Sequence, residues 1–364
     1  MPDYDKAYQE ALLKARKNFL SPVGVPKSAY KSLLQVYARA ILDIDSDLGT
    51  KAITEARGKA LKKQINKRMI ELGQRLGILL DGQSIAAINS AVAGHREGLA
   101  SLNTLSGLSI STNFAGIQAD TQSLMMVRRG LFGAKNYATV ISRQITGLAS
   151  DIDLIINSAI TRGVAAERAS QEIAAVMVSK DSTGELQKLI SKGRLKKSNL
   201  NRALKEGSIS PDSYKKARRA FYDSKRIMVT EINTAYREAD IQSQYRSPVV
   251  KGTKWNLSGR HSVPDICDMY ADSDLFNMGD GVYPTANYPG TPHPFCACYP
   301  TSVLREIEDW GNPKPLAVSP PTLKKDSYSK LFKNQTDHYA KAQVSQANKY
   351  LDLAYQVSKK VRAA

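Results

Sequence analysis

The sequence has little cysteine, histidine or tryptophan for its length. Its 364 residues include three cysteines, four histidines and two tryptophans. Three clustered cysteines fit a reducing compartment better than a secreted scaffold held together by disulfides. No apolar run reaches the roughly 18 residues of a membrane span, so we expect no membrane partner. The first residues lack the charged and then apolar layout of a secretory signal. We therefore expect synthesis in a cytoplasm.

The motifs of several large enzyme classes are also missing. The sequence has no His-Glu-x-x-His helix, no Gly-x-x-x-x-Gly-Lys phosphate loop and no Gly-x-Ser-x-Gly nucleophile elbow. The run Gly279-Asp280-Gly281 is typical of a turn rather than of a nucleotide site. These absences favour a protein that is not an enzyme.

The three cysteines that are present cluster with a histidine. They are Cys267, Cys296 and Cys298, and His293 stands three residues before Cys296. Alternate residues of an extended chain face the same way, so Cys296 and Cys298 can present both sulfurs to one ion. Zinc prefers thiolate and imidazole donors in a tetrahedron, and the pattern predicts a structural zinc site. A catalytic metal, a single disulfide with a spare thiol, and cysteines packed as small apolar residues remain alternatives.

This stretch resembles the phage head morphogenesis family, the Mu F-type minor head proteins of tailed bacteriophages. The resemblance spans roughly residues 160–305 and is carried by Lys254-Trp255, His261-x-x-x-Asp265-x-Cys267-Asp268, Pro292-His293-Pro294-x-Cys296-x-Cys298 and the preceding segment Arg226–Arg237. Many members have a Cys-x-x-Cys pair where this chain has Cys267 alone. The metal ligands are therefore expected to be Cys267, His293, Cys296 and Cys298, with His261 and Asp265 as alternatives.

The resemblance implies a structural component of the virion. Such a protein sits inside the capsid at the portal vertex and assists head morphogenesis and DNA packaging or delivery, after synthesis in the bacterial host cytoplasm. Its expected partner is the portal protein, with double-stranded DNA and other head proteins as further candidates. The alternative function is a metal-dependent nuclease of the His-Asn type, with His261, Asp265, Asn287 and His293 around a cation. Thiolate ligands favour the structural role, because they close the coordination sphere.

The net charge of +18 is unevenly distributed along the chain. From Lys180 to Arg226 there are fourteen Lys or Arg and five Asp or Glu, whereas His261 to Pro300 holds five Asp and no Lys or Arg. An unbalanced basic segment favours a polyanionic partner, either the DNA backbone or an acidic portal surface. A solvated surface without a partner is the alternative. The expected binding residues are Lys192, Arg194, Lys196, Lys197, Arg202, Lys205, Lys215, Lys216, Arg218 and Arg219.

Apolar spacing predicts a mainly α fold, with a small, loop-rich α+β module near residues 249–305 that zinc would stabilise. The predicted ranges are a helical region at 1–120, a helical region at 121–248 with a basic arm at 179–226, the Cys/His module at 249–310, a proline-rich linker at 311–323 and a C-terminal helical segment at 324–364. Val249 to Leu257 is the one clear strand. We expect Asp81-Gly82 to end a helix that begins near Thr50. Residues 102–120 are predicted as a loop, and 179–200 as an extended surface arm.

Overall fold

The computed structural model describes residues 3–20, 26–122, 125, 137–163, 165–178, 184–206, 220–259, 261, 265–293, 296–310, 345, 348 and 352. The helices are α1 Tyr4–Phe19, α2 Lys27–Leu48, α3 Glu55–Ser106, α4 Tyr137–Thr161, α5 Ala166–Val178, α6 Glu185–Ile190, α7 Lys197–Glu206, α8 Ala220–Arg246 and α9 Ile266–Asp272. The strands are β1 Val250–Asn256, β2 Val282–Tyr283 and β3 Tyr299–Leu304. The predicted class is confirmed: the fold is mainly helical with a small antiparallel sheet.

The chain forms two compact units, and each is assembled from segments that are far apart in sequence. The first unit comprises the described residues of Met1–Val25, Gln83–Gly133 and Val229–Ala364, and the second those of Pro26–Gly82 and Ala134–Met228. The boundaries fall inside α3 and α8. The ranges predicted from the sequence are each continuous along the chain, whereas each compact unit combines separate segments.

In the first unit, α1 packs closely on the C-terminal half of α3. A Cβ atom added at Gly98 would lie 2.7 Å from the Tyr8 ring, and one at Gly94 would lie 2.8 Å from Ala15. The Tyr8 hydroxyl is 2.9 Å from Nδ1 of His95, whose Nε2 is 2.6 Å from Asp240. His95 is fully buried, so the histidine that the sequence places in an Ala-rich helix is part of a buried polar network.

The sheet of the first unit has the strand order β2-β1-β3, and both pairings are antiparallel. Thr253 of β1 lies opposite Tyr283 on one side and Ser302 on the other. Gly281 leads into β2 with φ +69°, and a Cβ there would lie 2.6 Å from the Ala271 carbonyl oxygen. Only glycine fits this position, so the predicted turn at Gly279-Asp280-Gly281 is confirmed and packs against the end of α9.

In the second unit, the segment after residue 184 is helical and packed. The prediction of an extended arm at 179–200 is wrong where the structure describes that range. Leu186, Ile190, Leu195 and Leu200 are all buried, and their burial explains why this polar stretch folds onto the helices around it. Arg194 adds an ion pair to Asp45 of α2, at 2.6 Å.

Helix α3 continues without interruption through Asp81-Gly82, so the predicted helix end there is wrong. Glycine inside a helix costs only about 1 kcal/mol relative to alanine, and apolar packing on both sides outweighs it. Residues 102–106 belong to α3 and 117–122 are helical, which shortens the predicted loop at both ends.

Helix α3 also contains an 18-residue window with a mean hydropathy of 1.3 and at most two charged residues. In this window 33% of the residues are buried. By length and composition alone this helix could cross a membrane. Buried core helices of soluble proteins often have the same length and composition.

Two predicted segments lie outside the described residues. They are the proline-rich linker at 311–323 and nearly all of the C-terminal segment at 324–364. The predicted strand at Val249 to Leu257 is confirmed as β1.

Candidate metal centre

The first half of the site is built on the N-terminus of α9. Asp265 caps this helix: its Oδ1 accepts from the backbone N–H of Cys267 at 2.7 Å, and the Asp268 side chain accepts in return from the Asp265 N–H at 2.7 Å. This reciprocal capping satisfies donors that the helix start would otherwise leave open. It also fixes Cys267, which is fully buried, in the first turn.

The second half is the chain that enters β3. Sγ of Cys267 lies 3.2 Å from Nε2 of His293 and 3.7 Å from Sγ of Cys296. The ligand atoms of Cys267, His293 and Cys296 all lie within 4.8 Å of one another. Cys298 is outside this group, but hydrogen bonding with its thiol contributes to the pKa shifts of both other cysteines. The backbone N–H of Ser258 also donates to Cys298.

These spacings fit a tetrahedral ion better than a disulfide. A metal–sulfur bond of about 2.3 Å separates two sulfurs of a tetrahedron by about 3.8 Å, close to the 3.7 Å between Cys267 and Cys296. A disulfide needs about 2.05 Å between its sulfurs, and all three cysteines are free. The predicted cluster is therefore confirmed as a group that can hold a metal ion.

Hydrogen bonds among the three thiols move their pKa values in opposite directions. The pKa of Cys296 lies well below its ordinary value, because Cys267 and Cys298 donate hydrogen bonds to its sulfur and Arg237 adds a positive charge nearby. The pKa of Cys267 is raised, first by its hydrogen bond to Cys296 and then by burial. For Cys298, the hydrogen bond with Cys267 lowers the pKa, but the Cys296 thiolate and burial outweigh it and raise the pKa to about 11. Metal binding would require the thiols to lose their protons, so metal affinity should depend on pH.

The alternative ligands form a second group beside the first. Nε2 of His261 lies 2.6 Å from Asp268 and 3.8 Å from Asp265, and the ligand atoms of all three lie within 4.8 Å of one another. Nε2 of His293 lies 3.1 Å from Asp265. Burial raises the pKa of Asp265, but the hydrogen bonds from His293 and from the Cys267 N–H outweigh burial and lower it. This carboxylate is thus charged and reaches both groups.

Aromatic side chains enclose the thiols. Trp255 of β1 stacks on Tyr288 at 5.2 Å between ring centroids and lies 5.0 Å from Tyr270 of α9. These rings belong to the same buried cluster as the three cysteines. A bound ion would therefore sit in a largely apolar surrounding, where charge interactions are strong.

Two arginines that the sequence patterns did not single out hold the Cys-x-Cys backbone. Arg237 of α8 donates to the carbonyls of Cys296, at 3.3 Å, and of Cys298. Arg16 of α1 donates to the carbonyl of Ala297 between them, at 3.3 Å. The two arginines thus bind three successive carbonyls of this segment. In the sequence pattern Arg237 appears only as the last residue of the segment Arg226–Arg237, and the pattern gives that residue no role.

Comparisons with known proteins return no match. No family model matches the chain, and neither the curated proteins nor the solved structures include a match. The geometry of its own residues therefore carries the interpretation of the site.

The predicted basic residues are only partly available as a binding surface. Lys192, Lys196, Lys197 and Arg202 are exposed. Arg194 is a correction: its side chain is 16% exposed and bonds Asp45 and the Gly49 carbonyl, so it stabilises the second unit. The side chain of Lys205, and the residues Lys215, Lys216, Arg218 and Arg219, lie outside the described residues.

Proposed function

We propose that the Cys/His module binds one structural zinc ion through Cys267, His293, Cys296 and Cys298. The observation that carries the proposal is the buried group of Cys267, His293 and Cys296, whose ligand atoms lie within 4.8 Å of one another. Three thiolates and one imidazole are a typical structural zinc set. The module has few regular elements, and a metal would join α9 to the start of β3.

The test is the zinc content of the purified chain and of two variants. We expect about one zinc per chain, and Cys296→Ser should lose the metal and melt at a lower temperature. Tyr283→Phe is the matched control. It removes a buried hydroxyl that donates to the Tyr270 carbonyl at 2.9 Å without touching a ligand, so it should keep the zinc. Wild-type chain without stoichiometric zinc would refute the proposal.

On the resemblance described above, we further propose that the chain is a minor head protein of a tailed bacteriophage. It would lie inside the capsid near the portal, in few copies, and assist head assembly and DNA packaging or delivery. A metal-fixed module on a helical body with exposed lysines suits binding to other macromolecules. The charged lysines face solvent, while the cysteines and their aromatic neighbours are buried.

The test is incorporation into particles. Antibody detection in purified, DNA-filled virions should find the chain at low copy number relative to the main capsid protein. Co-expression with the portal protein encoded in the same genome should yield a complex. Absence from purified virions, with the chain present in the infected cell, would contradict the proposal.

The nuclease remains the second candidate because of the group His261, Asp265 and Asp268. The residue that would complete it, Asn287, is only 1% exposed, which leaves little access for a substrate. We expect the purified chain to leave DNA intact in the presence of magnesium, manganese or zinc. Metal-dependent cleavage that His261→Ala abolishes would favour the enzyme.

A further inference from the structure

Arg237 places a full positive charge in the interior of the first unit. Its side chain is among the largest that are fully buried, with 1% of its surface exposed. A buried charge is tolerated only when it is paired and hydrogen-bonded, because it loses its hydration. The hydrogen-bond partners of this guanidinium therefore indicate the role of Arg237.

Those partners converge on the Cys-x-Cys segment. One terminal nitrogen, Nη2, lies 3.4 Å from Sγ of Cys296 and donates to the Cys296 and Cys298 carbonyls. The other, Nη1, donates to Oγ1 of Thr291 at 2.9 Å and to the Gly290 carbonyl at 3.3 Å. The Trp255 ring covers the guanidinium, with its centroid 5.6 Å away. The planar fork thus holds both ends of the loop that carries His293.

The charge count of the site depends on this arginine. A divalent ion with three thiolates and a neutral imidazole carries a net charge of −1, which one guanidinium balances. Replacing the imidazole by the Asp265 carboxylate would give −2 at the ion. It would also draw a carboxylate that is 27% exposed out of water and away from its hydrogen bonds to His293 and the Cys267 N–H. Arg16 does not remove this difference. Its guanidinium bonds the Ala297 carbonyl and lies over the Tyr299 ring, 4.8 Å from the centroid, whereas Arg237 is the arginine that contacts a cysteine sulfur.

Resting on the zinc site proposed above, we infer that Arg237 is the fixed counter-charge of the metal centre and the positioning residue of Cys296 and Cys298. It thereby limits the ligand set to three thiolates and His293. Asp265 then stays outside the coordination sphere, as the cap of α9.

The first experiment measures zinc affinity by competition with a chromophoric chelator, using the full-length chain. Arg237→Met should bind zinc about 10–100-fold more weakly, the usual effect of removing a group that supports metal ligands. Arg237→Lys keeps the charge without the fork and should lose less. Arg16→Met is the matched control: it removes the other arginine from the same segment and should change affinity by less than about fivefold. Equal losses in Arg237→Met and Arg16→Met, or no loss in either, would overturn the inference.

The second experiment reads the ligand set directly, from the absorption of the cobalt(II)-loaded chain. Asp265→Asn should leave the thiolate charge-transfer band and the tetrahedral visible bands unchanged, whereas His293→Ala should shift the visible bands. A shift in Asp265→Asn as large as that in His293→Ala would make the carboxylate a ligand, against the inference.

The outcomes separate the two proposals. A wild-type chain that binds no zinc refutes the zinc site itself. A wild-type chain that binds zinc, with Arg237→Met equally tight, refutes only the role of Arg237. If Arg237→Met does not fold, Arg237→Gln serves instead, because it keeps donor groups without the charge. Wild-type affinity in Arg237→Gln would contradict the inference, and a loss of at least about tenfold would support it.

Discussion

Single basic residues in this chain fall into two groups with different roles. Arg194 and Arg237 are largely or fully buried and donate to backbone carbonyls and charged side chains. Lys196, Lys197 and Arg202 face solvent. Because exposed charges contribute little to stability, only the first group should affect the free energy of unfolding.

Arg194 and Lys197 test this division within one segment. Arg194→Met removes the ion pair with Asp45 and the hydrogen bond to the Gly49 carbonyl, and should lower the free energy of unfolding by about 1–3 kcal/mol. Lys197→Met removes a nearby exposed charge and should change it by less than about 0.5 kcal/mol. Urea unfolding followed by circular dichroism measures both. Equal stability of the two variants would show that the Asp45 pair contributes nothing.

Residue patterns pointed to the group that can hold a metal ion, but not to the residues that support it. Cys267, His293 and Cys296 stand out by spacing, because coordination restricts which residue types can serve. Arg237 does not stand out, because its role depends on contacts with residues more than fifty positions away. The same holds for Arg194, which appears in the sequence as one more member of a basic run.

Among the secondary-structure elements, α3 contains both tightly packed glycines and a glycine with open space around it. Gly94 and Gly98 allow α1 to approach, whereas an added Cβ at Gly82 would meet nothing within 4 Å. The first pair is required by packing. Gly82 has no such reason to be glycine.

Substituting alanine at two of these positions should therefore have opposite effects. Gly98→Ala places a methyl group against the Tyr8 ring and should destabilise the chain by about 1–3 kcal/mol through overpacking. Gly82→Ala should stabilise it by about 0.5–1 kcal/mol, because alanine restricts the unfolded chain and favours helix. Thermal melting of both variants checks the signs. Destabilisation by Gly82→Ala would mean that α3 is not a regular helix at that point.

Element types were predictable where packing and local pattern agree. β1 has β-branched and aromatic residues and is a strand as expected, and α1 begins at its Asp3 cap. The continuation of α3 through Asp81-Gly82 was not predictable from the sequence, because tertiary packing outweighs a local helix-breaking signal. The helices after residue 184 were missed for a similar reason: their few leucines and isoleucines are buried by distant partners.

At the scale of the whole molecule, charge differs between the two units. The exposed residues Lys192, Lys196, Lys197 and Arg202 lie in the second unit, whereas the Cys/His module of the first unit carries five aspartates and no Lys or Arg between His261 and Pro300. If DNA is a partner, its phosphates should be bound by the second unit.

Neutralising those four basic residues to Gln tests this assignment. The slope of log affinity for duplex DNA against log salt should become shallower by up to about 3.6, since each lost phosphate contact contributes about 0.9. The matched control neutralises four other exposed residues of the second unit: Lys51, Lys63, Lys67 and Arg75. Fluorescence anisotropy at several salt concentrations measures both slopes. Equal slopes for the two quadruple variants would show that the predicted basic surface has no special role.

The composition of the first unit from distant segments fixes the order in which the chain can fold during synthesis. Arg16 of α1 binds the carbonyl of Ala297, and Gln9 of the same helix binds that of Ser302. About 280 residues separate these partners, which a ribosome adds in roughly 15–60 s. Over that interval the second unit, whose last residue is Met228, can form while α1 still lacks its strand partner. The side of α1 that binds the later segment, with Gln9 and Arg16, is then open to chaperones and to neighbouring nascent chains. The proposed zinc ion, with Cys296 and Cys298 among its proposed ligands, could join only after this late segment is made.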